Sequence, residues 1–228
     1  MWTWIKNLFK RQPVVHPDTD VREPIPVVSK PVEVPPQMQP DPIKKDHYAH
    51  LDPNHVVPSV PLQMALNYLD AHLSSFPNKK YIAIMDYSQH SSKQRLYLID
   101  MNSGAVERHA CAHGIGSDRD NDGYATVFSN VPGSNMSSLG FVKSAEIYTG
   151  NHPHSMKLDG LSASNSNIRA RSVVMHPCAY IFDNAAKNGD HNGRSEGCLA
   201  LDADQSRAIV DKLYGGCLIL CWHPQFKI

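Results

Sequence analysis

Cys198 directly follows Gly197, with Ser195 three residues before it and His176 22 residues upstream, where the apolar run Val173-Val174-Met175 ends. Together these residue types suit acyl transfer. A thiol attacks a carbonyl as the thiolate, so it needs a base or a cation close by. A glycine in front of it lets backbone N–H groups crowd onto the developing oxyanion, here those of Gly197 and Cys198. An imidazole at the end of a strand is a candidate base for the thiol proton. The same residues also suit a buried core, because free cysteine packs as a small hydrophobe and Leu199-Ala200-Leu201 reads as an interior strand. Residue types alone leave both readings open.

The elements that must bring Cys198 and His176 together are short. Val173–Met175 is expected as a buried strand that delivers His176 to its end. Asp202 followed by Gln205 opens a capped helix that closes at Gly215-Gly216, and Cys217–Trp222 follows as a last strand. Upstream, Ser59-Val60-Pro61 starts a helix with Leu62, Ala65, Leu66, Leu69 and Leu73 at helical spacing. Tyr81–Met85 and Arg95–Ile99 read as strands, and Asn102-Ser103-Gly104 turns the second into a hairpin partner over Ala105–Ala112. Many short strands with few helices predict a β-rich α+β domain.

Proline and glycine divide the chain. Twelve of the 17 prolines precede residue 62, whereas all 13 glycines lie between Gly104 and Gly216. Residues 13–46 read as a Pro-rich, semi-extended linker, and 47–228 as the globular domain. Ahead of the linker, residues 1–12 are amphipathic. Trp2, Trp4, Ile5, Leu8 and Phe9 share one half of a helical wheel, and Thr3, Lys6, Asn7, Lys10 and Arg11 the other. That pattern fits a helix lying on a membrane surface through residues 1–11, and equally a frayed tail, since isolated helices this short are marginal. The first apolar residues are broken by Lys6 and Asn7 with no small-residue cleavage site after them, so no secretory signal is recognisable and the export route is left open. With 22 basic and 22 acidic residues the chain is not a strongly basic nucleic-acid binder. Its five cysteines do not form the pattern of a disulfide scaffold.

Ordered motifs add a resemblance. The segment from His176 to Ser195-Glu196-Gly197-Cys198 resembles the signature of L,D-transpeptidases, in which a histidine precedes a Ser/Thr-x-Gly-Cys element. Ala112–Ser117, Phe128–Ser134, Ser137–Phe141, Tyr148–Gly150, Leu158–Leu161 and Gly193–Ser195 extend the likeness to murein L,D-transpeptidase catalytic domain (YkuD-like) proteins over about residues 80 to 222. The resemblance implies a β-sandwich-type catalytic domain with a few short helices and no cofactor. It implies a peptidoglycan stem peptide as substrate and a site of action in the cell envelope or periplasm. It makes Cys198 the nucleophile paired with an imidazolium at His176, and gives Ser195 the task of orienting the imidazole or the loop. Arg194, His113 and Ser138 become candidates for substrate binding, His113 alternatively for loop support. The acyl-enzyme would pass to an amine, as in a transpeptidase, or to water, as in an L,D-carboxypeptidase or endopeptidase, including a phage-type lysis enzyme. A wall-binding module without turnover is the non-enzymatic alternative. Two positions depart from the family pattern. Pro177 stands where glycine usually follows the histidine, and Ala200 where Arg or Asn usually stands two residues past the cysteine.

Two metal chemistries compete. Asp118-Arg119-Asp120-Asn121-Asp122-Gly123 repeats the first half of a calcium loop, but position 12 is Ser129 and the bidentate glutamate is missing. His176, Cys178, His191, Cys198, Cys217, Cys221 and His223 offer soft ligands without the paired Cys-x2-Cys spacing of zinc sites. No metal is assigned.

Overall fold

The computed structural model describes residues 47–184 and 191–228, so the amphipathic segment and the whole proline-rich linker lie outside the described residues. Eight strands follow one another as β1 (Tyr81–Asp86), β2 (Leu96–Asp100), β3 (Val106–His109), β4 (Gly140–Tyr148), β5 (Ser155–Gly160), β6 (Val174–Cys178), β7 (Leu199–Asp202) and β8 (Leu218–Trp222). Two helices, α1 (Ser59–Ala71) and α2 (Ala203–Leu213), complete the α+β, strand-rich architecture that the sequence predicts. No helix among the described residues is long and apolar enough to cross a membrane.

All eight strands share one sheet in the order β3-β2-β1-β8-β4-β5-β6-β7. The sheet then curls until its ends meet. Just past β3, Cys111 bridges Leu201 of β7, and the Ala112 N–H donates to the Ala200 carbonyl at 2.9 Å. Closure of this kind removes the open edges that otherwise recruit other chains. β8 sits in the middle, parallel to β1 and antiparallel to β4, and its residues Leu218 to Cys221 are buried. Runs such as Ile82-Ala83-Ile84-Met85 and Leu218-Ile219-Leu220 are apolar without alternation because both faces are covered, α1 packing on β8 and β1, and α2 on β6, β7 and β1.

Local chemistry sets the ends of the elements. Asp202 caps α2 by accepting from the Asp204 N–H, and Gly215 and Gly216 turn the chain out of it with φ of 88° and 94°. α1 stops before Leu73, which lies in a short 3-10 turn and is exposed, so the last position of the predicted stripe does not reach the core. β6 runs on past His176 to Cys178, which puts the histidine inside the strand and not at its end. Pro177 is tolerated there because pairing with β5 stops at Met175, so no bond to that strand is lost.

Candidate active site

Parallel pairing of β6 with β7 builds the site. His176 stands opposite Ala200 in the register, and alternation puts Val174, His176 and Cys178 on one face of β6. Cys198 comes two residues before Ala200, at the diagonal position to His176 on the neighbouring chain. Ala200 has no exposed surface and packs with Ala110, Ala112, Cys178 and Ile181.

The turn before Cys198 is closed by its own hydroxyl. Ser195 Oγ lies 2.7 Å from the Cys198 carbonyl, to which it donates, and accepts the Gly197 N–H at 3.1 Å. The Ser195 backbone is stitched to the preceding loop, its N–H reaching the His113 carbonyl (2.8 Å) and its carbonyl accepting from Ile115 N–H (2.7 Å). Ser195 therefore shapes the loop and makes no bond to the imidazole. Gly197 has a φ of 110°, and a side-chain carbon on it would lie 2.7 Å from the Met136 carbonyl oxygen, so conformation and contact both demand glycine. Its N–H, expected as an oxyanion donor, is already engaged by Ser195, which leaves the Cys198 N–H as the backbone donor to consider.

Cys198 is partly exposed, the other four cysteines buried. Its thiol points to the Ser172 carbonyl (3.7 Å), and its sulfur also accepts from the Val174 N–H. Ser172 is itself unusual, with φ of 56° at the last turn before β6; such strain gathers at working sites. Burial pushes the Cys198 thiol up from its ordinary value, and Glu196 adds to this, against the Val174 N–H and the Arg171 guanidinium. His176 is pushed down, first by burial and further by His152, although its bond to Pro177 opposes this. No hydrogen bond joins Cys198 to His176 among the described residues. Both shifts disfavour the ion pair that the motif implies, burial being the largest cause of each. Catalytic hydrogen bonds commonly tighten only once substrate is bound.

The tautomer of the imidazole follows from its hydrogen bond to Pro177. His176 Nδ1 lies 2.9 Å from the Pro177 carbonyl oxygen, which only accepts, so Nδ1 carries the proton and Nε2 the free lone pair. Pro177, one of the two departures from the family pattern, thereby fixes the tautomer. His152, which the sequence marks only as a loop residue, stacks on His176 with ring centroids 4.1 Å apart and planes 17° apart. It rides on the β4–β5 hairpin, where its carbonyl is held by Ser155 Oγ and the Gly150 N–H, and where His154 pairs with Asp211 of α2 at 2.7 Å.

The residues expected to bind substrate each have partners within the protein. His113 has no exposed surface; Arg95 Nη2 donates to its Nδ1 (2.8 Å), and its Nε2–H donates to Asp118 (3.0 Å). Burial, then the Arg95 charge, pushes it down to about 4. A neutral, fully engaged ring supports the loop beneath Ser195, the alternative expected for it. Arg194 donates to the Asp118 carbonyl and so braces the aspartate loop. Ser138 is buried, donating to the Ser129 carbonyl (2.8 Å) and accepting from Arg171 (2.6 Å). Arg171 and His152 are the neighbours that sequence reasoning passes over. The available signal for Arg171 is only a polar turn placed just before the His176 strand.

Asp118, Asp120 and Asp122 do converge, their ligand atoms lying within 4.8 Å of one another. Yet Asp118 Oδ1 accepts from the Asp122 N–H, and Oδ2 from Gly123 N–H and His113. Asp122 accepts from the Tyr124 N–H. Loop closure engages Asp118 and Asp122. The histidines and cysteines weighed as zinc ligands do not gather into such a group among the described residues.

No curated protein matches the chain. Among solved structures it is similar to an L,D-transpeptidase from Mycobacterium smegmatis (11% identity, 63% of this chain and 59% of that one, TM-score 0.38). It is also similar to Mycobacterium tuberculosis L,D-transpeptidase 1 (13% identity, 63% and 62%, TM-score 0.35). A fused Zn-dependent amidase/peptidase/peptidoglycan-binding domain-containing protein from Clostridium acetobutylicum matches at 16% identity over 76% and 64%, with TM-score 0.36. The chain spans about three-fifths of the length of the two mycobacterial structures. The model of the L,D-transpeptidase catalytic domain matches residues 54–222, a span that takes in every strand and the whole of the Cys198 site, and the chain belongs to that family.

Proposed function

We propose that this chain is a peptidoglycan-acting cysteine acyl-transferase that works through a Cys198 thioester. The observation that carries the reading is a thiol, the one of five that is partly exposed, two residues before the position paired with His176, whose Nδ1 proton the Pro177 carbonyl holds. His176 Nε2 takes the thiol proton as Cys198 Sγ attacks the carbonyl of an L-centre residue in a stem peptide. The carbonyl electrons move to oxygen, and the Cys198 N–H is the backbone donor assigned to stabilise them. Collapse expels the amine, which recovers the proton from the imidazolium, and leaves the acyl group on sulfur. An acceptor amine then attacks the thioester and restores the thiol. Water in place of the amine would give hydrolysis with the same residues.

The family supports a place of action at the cell wall, and the membrane-surface role of residues 1–11 stays a proposal of its own. Mass spectrometry of muropeptides incubated with the protein, with and without a D-amino acid acceptor, tests the reading. An exchanged product that is lost in Cys198→Ser supports transfer, cleaved product in both conditions supports hydrolysis, and unchanged muropeptides would refute the proposal.

A further inference from the structure

The guanidinium of Arg171 is held from four sides by neutral groups. Nη1 donates to the Ser129 carbonyl (2.7 Å) and Ser138 Oγ (2.6 Å), and Nη2 to Ser134 Oγ (3.2 Å) and the Met136 carbonyl (2.7 Å). Among the described residues no carboxylate pairs with it. A half-buried cation without a counterion is costly unless its field serves something. What it faces is the nucleophile loop, since Nη2 would lie 3.4 Å from a side-chain carbon on Gly197. The next residue, Ser172, meets the thiol through its carbonyl.

We propose that Arg171 is a positioning residue for the nucleophile. Its guanidinium, clamped by the 129–138 loop against Gly197, supplies the uncompensated positive charge that holds the Cys198 sulfur as an anion once its proton has left. This rests on Cys198 being the nucleophile. Charge complementarity makes the case. Among the described residues no hydrogen bond joins the imidazole to the sulfur, and Ala200 puts no cation two residues past the cysteine. The other charged or titratable groups whose field reaches the sulfur are Glu196 on its own loop, which opposes an anion, Tyr180 beyond β6 and Cys111 beyond β3, while His176 stands at the diagonal register position on β6 with His152 stacked on it. Among them Arg171 alone carries a permanent positive charge. With its four terminal N–H groups spent on the loop, Arg171 is poorly placed to grip a substrate carboxylate in a fork. Its contribution is its field.

Alkylation by neutral iodoacetamide, followed at Cys198 by peptide mapping across pH, reads thiolate formation without any acyl donor. For Arg171→Gln the midpoint should rise by about one pH unit or more, the size expected on losing a single opposite charge at this range. Arg171→Lys, which retains the charge, should recover at least half of that shift. An unmoved midpoint in a folded Arg171→Gln protein would overturn the proposal, as would equal displacement in the two variants. Should Arg171→Gln fail to fold, Ser134→Ala and Ser138→Ala loosen the clamp instead. Each should raise the midpoint by about a few tenths of a pH unit, the smaller effect of moving a charge and not removing it, and no rise in either would sink the idea. Because the readout needs no peptidoglycan, a shifted midpoint in a protein inert toward muropeptides would reject the proposed function and leave this assignment standing.

Discussion

In the Asp118–Gly123 loop both oxygens of the leading carboxylate have partners within the loop or just beneath it, and position 12 of the calcium pattern, Ser129, gives its carbonyl to Arg171 and Ser138. In the Ser195–Cys198 loop the hydroxyl likewise closes the turn, but the sulfur at its end is left with weak partners at sulfur distances, and among the described residues no carboxylate pairs with the Arg171 guanidinium nearby. Each loop carries a motif with a chemical reputation. The difference lies in what the fold leaves unsatisfied. The same contrast separates two histidines: His113 has both nitrogens engaged and no surface, and His176 has one nitrogen pinned and the other free. A group whose valences are filled by the fold is structure, and one held in place with a valence to spare is available for chemistry.

Breaking the contrast at the sulfur should have the largest effect. Cys198→Ser is expected to lower turnover of muropeptides by about a thousandfold or more, since a hydroxyl beside the same base is a much weaker nucleophile, with an unchanged melting temperature. Near-native activity in that variant would place the nucleophile elsewhere. Gly197→Ala should come next, because it loses both conformation and clearance at the Met136 carbonyl. We expect about 1–3 kcal/mol of destabilisation in chemical denaturation from the backbone strain, together with reduced alkylation of Cys198. A protein as stable as the parent would show that the turn is not constrained.

The histidine pair offers a pH test. His113 is held neutral, with its folded value near 4 against 6.5 when free. The unfolded chain therefore binds the extra proton first. The stabilisation is complete above about pH 6.5 and is lost as pH falls toward about 4. The depressed Asp118 value adds its own loss below that window. Melting temperatures measured from pH 7.5 to 4 should decline more steeply in the parent than in His113→Gln, and parallel curves would contradict the assignment. At the open site, His152→Ala uncovers the His176 ring and removes a group that pushes it down. The acid limb of the activity profile should move to higher pH, with only a few-fold change in the plateau; an unmoved limb would separate the stack from catalysis. The smallest effect is reserved for calcium, which should leave the melting temperature nearly where it was, because Asp118 is already spent.

The sequence made some of these elements plain and hid others for definite reasons. α1, β1, β2, β8 and the Asp202 cap follow from spacing and end signals carried within a dozen residues. β4 and β5 do not, because Lys143, Ser144, Glu146 and Lys157 break up their apolar pattern and a bulge between Ser144 and Ile147 shifts their register. Cys198 and His176 were legible as a motif, and Ser195 as part of it. Arg171 and His152 were not, since the former acts through a loop some forty residues away in the chain and the latter through a hairpin stacked across a strand. Neither contact leaves a local mark.

The central position of β8 has a consequence for how the molecule is made. In the strand order β1 and β4 are joined through β8, residues 218–222, which a ribosome delivers after the other seven strands. Until then β1 and β4 each present an open apolar edge, and the nascent chain is at its most prone to aggregate. Completion of the sheet is an all-at-once event with long-range pairings, the kind that folds slowly. The thiol at Cys198 is therefore synthesised before the scaffold that restrains it, and shortening the chain ahead of Leu218 would remove the seam between the two halves while leaving every site residue in place.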